Sequence, residues 1–256
     1  MRLLRRASEV LVQQGPRMVL IKAVWTLRNQ MTAQREKKLA PAVRRRLAHQ
    51  PPRTIDAVLD FLWSADADLI RPEQVRGELE SLLKLVFGGQ PPRTIMEIGT
   101  HNGGTLCAFA ALAADDATII SLDLPGGAFG GGYMPWKIPL YKSFAKPGQA
   151  MHLLRDDSHS PLTLERVRSI LNGQKLDFLL IDGDHTFEGV KQDHVMYGPL
   201  VKPGGVIAFH DIARDLPQIG TAVGRYWQTV KASQPHQEFR VKDPVLGDVG
   251  IGVIRG

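Results

Sequence analysis

The sequence predicts an α/β protein with a mainly parallel sheet covered by helices on both faces, preceded by a helical N-terminal arm. Two observations lead there. From Pro91 onward, short apolar runs alternate with segments of helical periodicity, the pattern that closes into a parallel sheet. Near the end, two strand-like runs follow each other with no crossover helix between them, which gives an antiparallel hairpin at one edge. Strands are expected at 94–98, 118–123, 151–155, 177–182 and 205–209, then near 238–241 and 249–254. Helices are expected at 103–114, 136–144, 162–172, 187–200 and 219–232.

Residues 53–90 read as a helical cap on the sheet domain, which spans 91–256. Ile55, Val58, Leu59 and Leu62 recur at helical spacing. A second helix over 72–87 opens with Pro72 near its first position and Glu in its first turns, and Gly88-Gly89 stops it. Residues 1–52 read as a basic amphipathic arm closed by Pro51-Pro52. There Met18, Val19, Leu20, Ile21, Val24, Trp25 and Leu27 cluster between Arg17, Lys22 and Arg28.

Charge is divided unevenly. Residues 1–50 hold 12 Lys/Arg against 2 Glu, whereas the remaining 206 hold 20 against 24. The net charge of +6 therefore belongs to the arm, and the mildly acidic body gives no reason to expect a nucleic-acid partner. Two readings of the arm stand: a helix lying on an anionic membrane surface, or a helix packed on its own domain or a second subunit. Its Arg-rich, acid-poor start also resembles an organellar transit peptide. The lone Cys107 excludes an internal disulfide framework and points to a reducing compartment such as the cytoplasm. No uncharged apolar run approaches the ~18–20 residues that span a bilayer, and no apolar leader with a small-residue cleavage site is evident.

The candidate chemistry lies at the strand ends, where open α/β sheets bind ligands. The first strand runs into Glu97-Ile-Gly-Thr-His-Asn-Gly-Gly104, where Gly99 permits a tight turn and Gly103 and Gly104 permit close approach. The glycines are too widely spaced for a dinucleotide fingerprint. Asp123, ending the second strand 20 residues beyond Gly103, is placed to accept the hydroxyls of a ribose, or merely caps its turn. Asp157 and Ser158 follow the third strand, at the height of an adenine edge. The fourth and fifth strands end in Asp182-Gly-Asp-His185 and His210-Asp211, a set of oxygen and imidazole donors suited to Mg²⁺ or Mn²⁺, or else a metal-free polar cluster. Gly126–Pro135 is dense enough in glycine for a lid or a plain flexible loop, and Cys107 reads as core.

Four motifs carry a family likeness: Glu97-Ile-Gly-Thr-His-Asn-Gly-Gly, Ser121-Leu-Asp-Leu-Pro-Gly-Gly, Ile181-Asp-Gly-Asp-His-Thr-Phe-Glu-Gly-Val and Leu200-Val-Lys-Pro-Gly-Gly-Val-Ile-Ala-Phe-His-Asp. Together they resemble the class I S-adenosylmethionine (SAM) methyltransferases. More narrowly they resemble the branch of sugar and macrolide O-methyltransferases and proteins labelled cephalosporin hydroxylase. The likeness covers about 54–256 and leaves out the arm. It implies a Rossmann-like sheet of seven strands with the last reversed, and SAM as cofactor. Glu97, Gly99, Thr100 and Gly103 would lie at the methionine end, Asp123 on the ribose, and Asp157 and Ser158 on the adenine, with Asp182 also within reach of the cofactor.

Motif by motif, the metal-dependent catechol and caffeoyl-CoA O-methyltransferases add a divalent ion on Asp182, His210 and Asp211. His210 departs from their pattern. Their general-base Lys falls on His185, which makes His185 and Asp182 the expected catalytic pair; His185 or Asp184 as a mere support of Asp182 is the alternative. The expected reaction is methylation of a hydroxyl on a sugar, glycosylated natural product or glycolipid. An iron-dependent hydroxylase and a non-catalytic docking protein on the same fold are the rivals.

Overall fold

Strand β1 (Thr94–Ile98) is buried along its whole length, which only a central strand with both faces covered achieves. In the computed structural model, which describes residues 34–127, 129 and 132–256, β1 pairs in parallel with β2 (Thr118–Leu122) and with β4 (Leu176–Ile181). β3 (Ala150–Leu154) extends the sheet beyond β2, and β5 (Val201–Phe209) extends it beyond β4. β7 (Gly247–Arg255) then runs antiparallel to both β5 and β6 (His236–Asp243). The order β3-β2-β1-β4-β5-β7-β6 is the expected seven-stranded sheet with its last strand reversed. The order turns back between β1 and β4, which opens a crevice beyond their carboxyl ends.

Alternation along the strands fills two cores. Met96 and Ile98 face a layer with Ile120, Leu122, Leu179 and Ile181, against α6 (Pro161–Leu171), α7 (Phe187–Tyr197) and α8 (Val223–Ser233). The other face meets α2 (Ile55–Leu62), α3 (Arg76–Phe87) and α4 (Gly104–Leu112). Here Phe109 lies edge-on to Phe178, with ring centroids 5.1 Å apart, and stacks on Phe87. Cys107 is buried in α4, as expected of a core residue.

Several boundaries differ from the sequence expectation. α3 starts at Arg76, so Pro72 to Val75 are loop rather than helix. The segment expected as one helix over 136–144 is a 3₁₀ turn, Pro135–Lys137, followed by a single short helix, α5 (Ile138–Lys142). The helix expected from 219 starts at Val223, because Gly220 takes a left-handed φ of 83° and ends a separate 3₁₀ turn. A helix, α1, covers 34–49 and stops before Pro51-Pro52. The apolar cluster at 18–28 and the first basic residues of the arm lie outside the described residues. Among the described residues no helix is long and apolar enough to cross a membrane.

Candidate active site

A cavity of about 610 Å³ lies beyond the ends of β1, β2, β4 and β5. Its first end is built by backbone. Gly99, at the exit of β1, has φ 89°, and a Cβ there would sit 1.9 Å from the carbonyl oxygen of Asp182. No other residue fits, since both the conformation and the space demand glycine. The chain then turns so that the amides of Thr100 and His101 both donate to Asp123 Oδ2, at 3.2 and 2.8 Å. Burial holds the Asp123 carboxyl above its ordinary range, against the partial pull of these backbone donors. Asp123 is thus fixed at the cavity wall by the glycine loop itself.

Glu97 stands apart from this wall. It is fully buried beneath the loop, accepting from the Thr100 hydroxyl at 3.0 Å, and it does not line the cavity. Burial pushes its carboxyl up to about 8, against the pull of the Thr105 and Thr100 hydroxyls. At neutral pH it is mostly a neutral acid supporting the loop from below. Gly99, Thr100, Gly103, Asp123, Asp157, Ser158 and Asp182 do share the cavity. Asp157 also closes the turn after β3 by accepting the His159 amide at 2.9 Å.

The second end is built by side chains. Asp182 Oδ1 is 3.1 Å from His210 Nδ1 and 3.5 Å from His185 Nε2, while Oδ2 accepts from Gln74 Nε2 at 2.7 Å. His185 Nδ1 lies 3.1 Å from Asp211 Oδ2. Asp211 adopts φ 59°, a left-handed conformation uncommon outside glycine, at the rim of the site. Burial alone would lower His185, but hydrogen bonds to Asp182 and Asp211 raise it to about 10. His210 is likewise raised well above its ordinary range: its burial is outweighed by Asp182 and Glu78. Burial would raise Asp182, yet the two imidazoles hold it below the usual carboxylate range.

This geometry adds His185 to the expected donor set. His210 lies beside both aspartates, with Nδ1 3.1 Å from Asp182 Oδ1 and 3.4 Å from Asp211 Oδ1, while its Nε2 faces Glu78 at 3.2 Å. Among the described residues, Asp182, His185 and Asp211 offer ligand atoms that all lie within 4.8 Å of one another. Asp184 takes no part; it accepts the Thr186 amide at 2.8 Å and shapes the start of α7.

Sequence reasoning missed four contributors. Gln74 and Glu78 reach the site from α3 and the loop before it, across 108 and 132 residues. Glu73 ties down the glycine loop, lying 3.0 Å from Asn102 Nδ2 and 3.3 Å from His101 Nδ1. Phe129, within the glycine-rich segment, stacks on His185 with centroids 5.1 Å apart and planes 8° from parallel. One signal was present: Glu78 sits beside Leu79 and four residues before Leu82, on the buried face of its helix.

Comparison with known proteins bears on the fold. Residues 96–212 match a family model described as a methyltransferase domain. An uncharacterized protein of Sinorhizobium fredii is 29% identical over 154 residues, 58% of this chain; the chain spans only 16% of that relative's length. The N-methyltransferase NodS of Bradyrhizobium japonicum, solved with S-adenosylhomocysteine, superposes with a TM-score of 0.53 at 13% identity. That match covers 80% of this chain and 98% of NodS. The O-methyltransferase TomG of Streptomyces achromogenes, solved with SAM, gives 0.51 at 15% identity, covering 79% and 89%. Residues 96–212 are thus similar to a methyltransferase domain, and the seven-stranded sheet has the fold of the two methyltransferases compared.

Proposed function

We propose that this chain is a class I methyltransferase that moves the methyl group of SAM onto a hydroxyl oxygen, with Mg²⁺ or Mn²⁺ at the Asp182 end of the cavity. The observation that carries the reading is one cavity with two differently equipped ends. The Gly99–Asp123 end suits the cofactor, since backbone there can approach a ligand closely and a carboxylate stands where a ribose needs an acceptor. The Asp182 end offers two carboxylates and one imidazole, donors that suit Mg²⁺ or, with the nitrogen, Mn²⁺. Such an ion lowers the pKa of an acceptor hydroxyl and fixes its orientation.

The chain's own residues do the rest. His185, a cation between two carboxylates at neutral pH, would give up its proton to hold such an ion with Asp182 and Asp211. In that role His185 would be a ligand rather than the base that its place in the motif implied. Gln74 occupies Asp182 Oδ2 and leaves Oδ1 for the site, and His210, clamped by Glu78, steadies the same carboxylate. Phe129 covers one face of His185. The O–C bond forms as the S–C bond breaks in line, and the hydroxyl proton leaves by way of Asp211, which is partly exposed at the rim.

The acceptor we propose is a hydroxyl of a sugar, a glycosylated natural product or a glycolipid, met on the cytoplasmic side. Support comes from the motif resemblance and from the arm, whose basic clusters suit an anionic membrane surface at ~1 kcal/mol per nearby charge. Equal binding of anionic vesicles by arm-deleted and full-length chains would remove the membrane part. An iron oxygenase of the usual kind sets two imidazoles and one carboxylate on its metal. The group of donors within 4.8 Å of one another holds two carboxylates and one imidazole, which favours the methyltransferase.

Calorimetry with SAM and S-adenosylhomocysteine, in Mg²⁺ and then in EDTA, tests the reading. Micromolar binding by the wild type that is lost in Asp123→Ala, followed by metal-dependent turnover of a sugar acceptor, is the expected result. Absence of binding under every condition would overturn it.

A further inference from the structure

At the cavity wall stands a second imidazole–carboxylate pair that the methyl-transfer chemistry does not use: His159 lines the cavity and Asp193 lies behind it. Asp193, in the middle of α7, is fully buried. Neither of its oxygens receives a well-aligned hydrogen bond, and the closest cation is His159, whose Nε2 lies 3.3 Å from Oδ1. The same Nε2 is 3.2 Å from the carbonyl of Gly189 on α7. Both partners are acceptors, so Nε2 carries a hydrogen and points it into the helix.

His159 belongs to the loop after β3, whose Asp157 and Ser158 line the cavity. Three further bonds fasten that loop. The Tyr197 hydroxyl donates to the Ser158 carbonyl at 2.8 Å, Gln192 Nε2 to the His159 carbonyl at 3.4 Å, and the His159 amide to Asp157 at 2.9 Å. Apart from the last, every anchor comes from α7. That helix begins directly after the Asp182–His185 segment, so one rigid element borders both ends of the cavity.

We propose that His159 and Asp193 form a latch that holds the loop of Asp157 and Ser158 in the shape that receives the adenine of the cofactor, making His159 a positioning residue for cofactor binding. The proposal rests on the cofactor reading above. A buried carboxylate without a cation is costly, so releasing the loop from α7 exposes the helix to that cost. The latch is an imidazolium clasp: Asp193 on α7, Asp157 on the same loop and Asp184 after β4 all face His159 and favour its charged form. The Asp193 carboxylate beside it outweighs burial and raises His159 to about 8, while burial pushes Asp193 up. Above that pH the imidazole loses its Nδ1 proton, the pair loses its attraction, and the loop loosens.

The test is calorimetry on the full chain with S-adenosylhomocysteine and with 5′-methylthioadenosine, which keeps the adenosine and lacks the amino acid. Wild type and His159→Gln are compared from about pH 6 to about pH 10. At the acid end the variant should bind both ligands about tenfold more weakly, by the same factor for each, as befits a loss at the adenosine end. Above about pH 8 the wild type should fall toward the variant, so that the two profiles converge. Glu97 titrates in the same range, so the readout is the difference between the profiles rather than either one alone. Tyr197→Phe, which removes only the bond to Ser158, should weaken both ligands by a smaller factor and keep the wild-type pH shape. Parallel profiles, a loss confined to S-adenosylhomocysteine, or unchanged affinity in both variants would overturn the latch. Failure of the wild type to bind either ligand would overturn the cofactor reading and the latch with it.

Discussion

The two ends of the cavity solve the same problem, a buried carboxylate, by different means. At the first end Asp123 is satisfied by amides of a loop 22 and 23 residues away, folded into place by Gly99. At the second end Asp182 is satisfied by side chains: Gln74 before α3, His185 three residues on, and His210 after β5. Backbone donors cannot be protonated or removed by a single side-chain change, and they leave no net charge behind. Side-chain donors bring charge, and charge can be exchanged for a metal ion. On the function proposed, the first end would serve as a rigid receptor and the second as an electrostatic cluster that exchanges its proton for a metal ion.

Substitutions at each end separate these properties. The largest effect is expected at Gly99→Ala, where the new Cβ meets the Asp182 carbonyl in a left-handed conformation. Loss of more than about 3 kcal/mol of stability should follow, read by urea denaturation, because both ends depend on that turn. Asp182→Asn should fold, retain S-adenosylhomocysteine and lose about a thousandfold in turnover, measured in a single-turnover assay. Glu78→Ala removes the partner of His210 and the acceptor of the Val75 amide, for a loss of about 3 kcal/mol. Glu78→Gln, which keeps the amide acceptor, should lose less. Gln74→Ala should weaken Mn²⁺ binding by about tenfold with little change in cofactor affinity.

The smallest effect is a pH slope in the metal-free protein. His185 is raised in the folded state, so the stability it contributes is complete below the unfolded value of ~6.5 and is lost as pH climbs toward 10. Glu97, a carboxyl raised to about 8, acts in the same sense, because the folded state holds its proton more tightly than the unfolded chain does. Unfolding free energy in EDTA should therefore fall between neutral and alkaline pH. Glu97→Gln should flatten that slope in part; an unchanged slope would contradict the burial argument.

The same contrast explains what could be read from the sequence. The sheet, its reversed last strand and the Gly99–Asp123 end were legible because each depends on contiguous signals: apolar runs of strand length, glycines at a strand exit, a carboxylate at the next strand end. Asp182, His185, His210 and Asp211 were legible as a group for the same reason. Their pairing was not. His210 Nε2 turns to Glu78, 132 residues away in the chain, and no local signal gives that contact. Gln74 escaped notice because Pro72 suggested a helix start, whereas the helix begins at Arg76 and leaves Gln74 on a loop facing the cavity. The helix expected from 219 begins later because Gly220, in a left-handed conformation, closes a separate turn ahead of it.

The division of the cavity is tested most directly by measuring S-adenosylhomocysteine and Mn²⁺ binding on Asp123→Ala and Asp182→Asn side by side. The account predicts opposite losses: Asp123→Ala should lose the cofactor product and keep Mn²⁺, while Asp182→Asn should lose Mn²⁺ and keep the cofactor product. Loss of both ligands in both variants, or full retention of Mn²⁺ in Asp182→Asn, would contradict it.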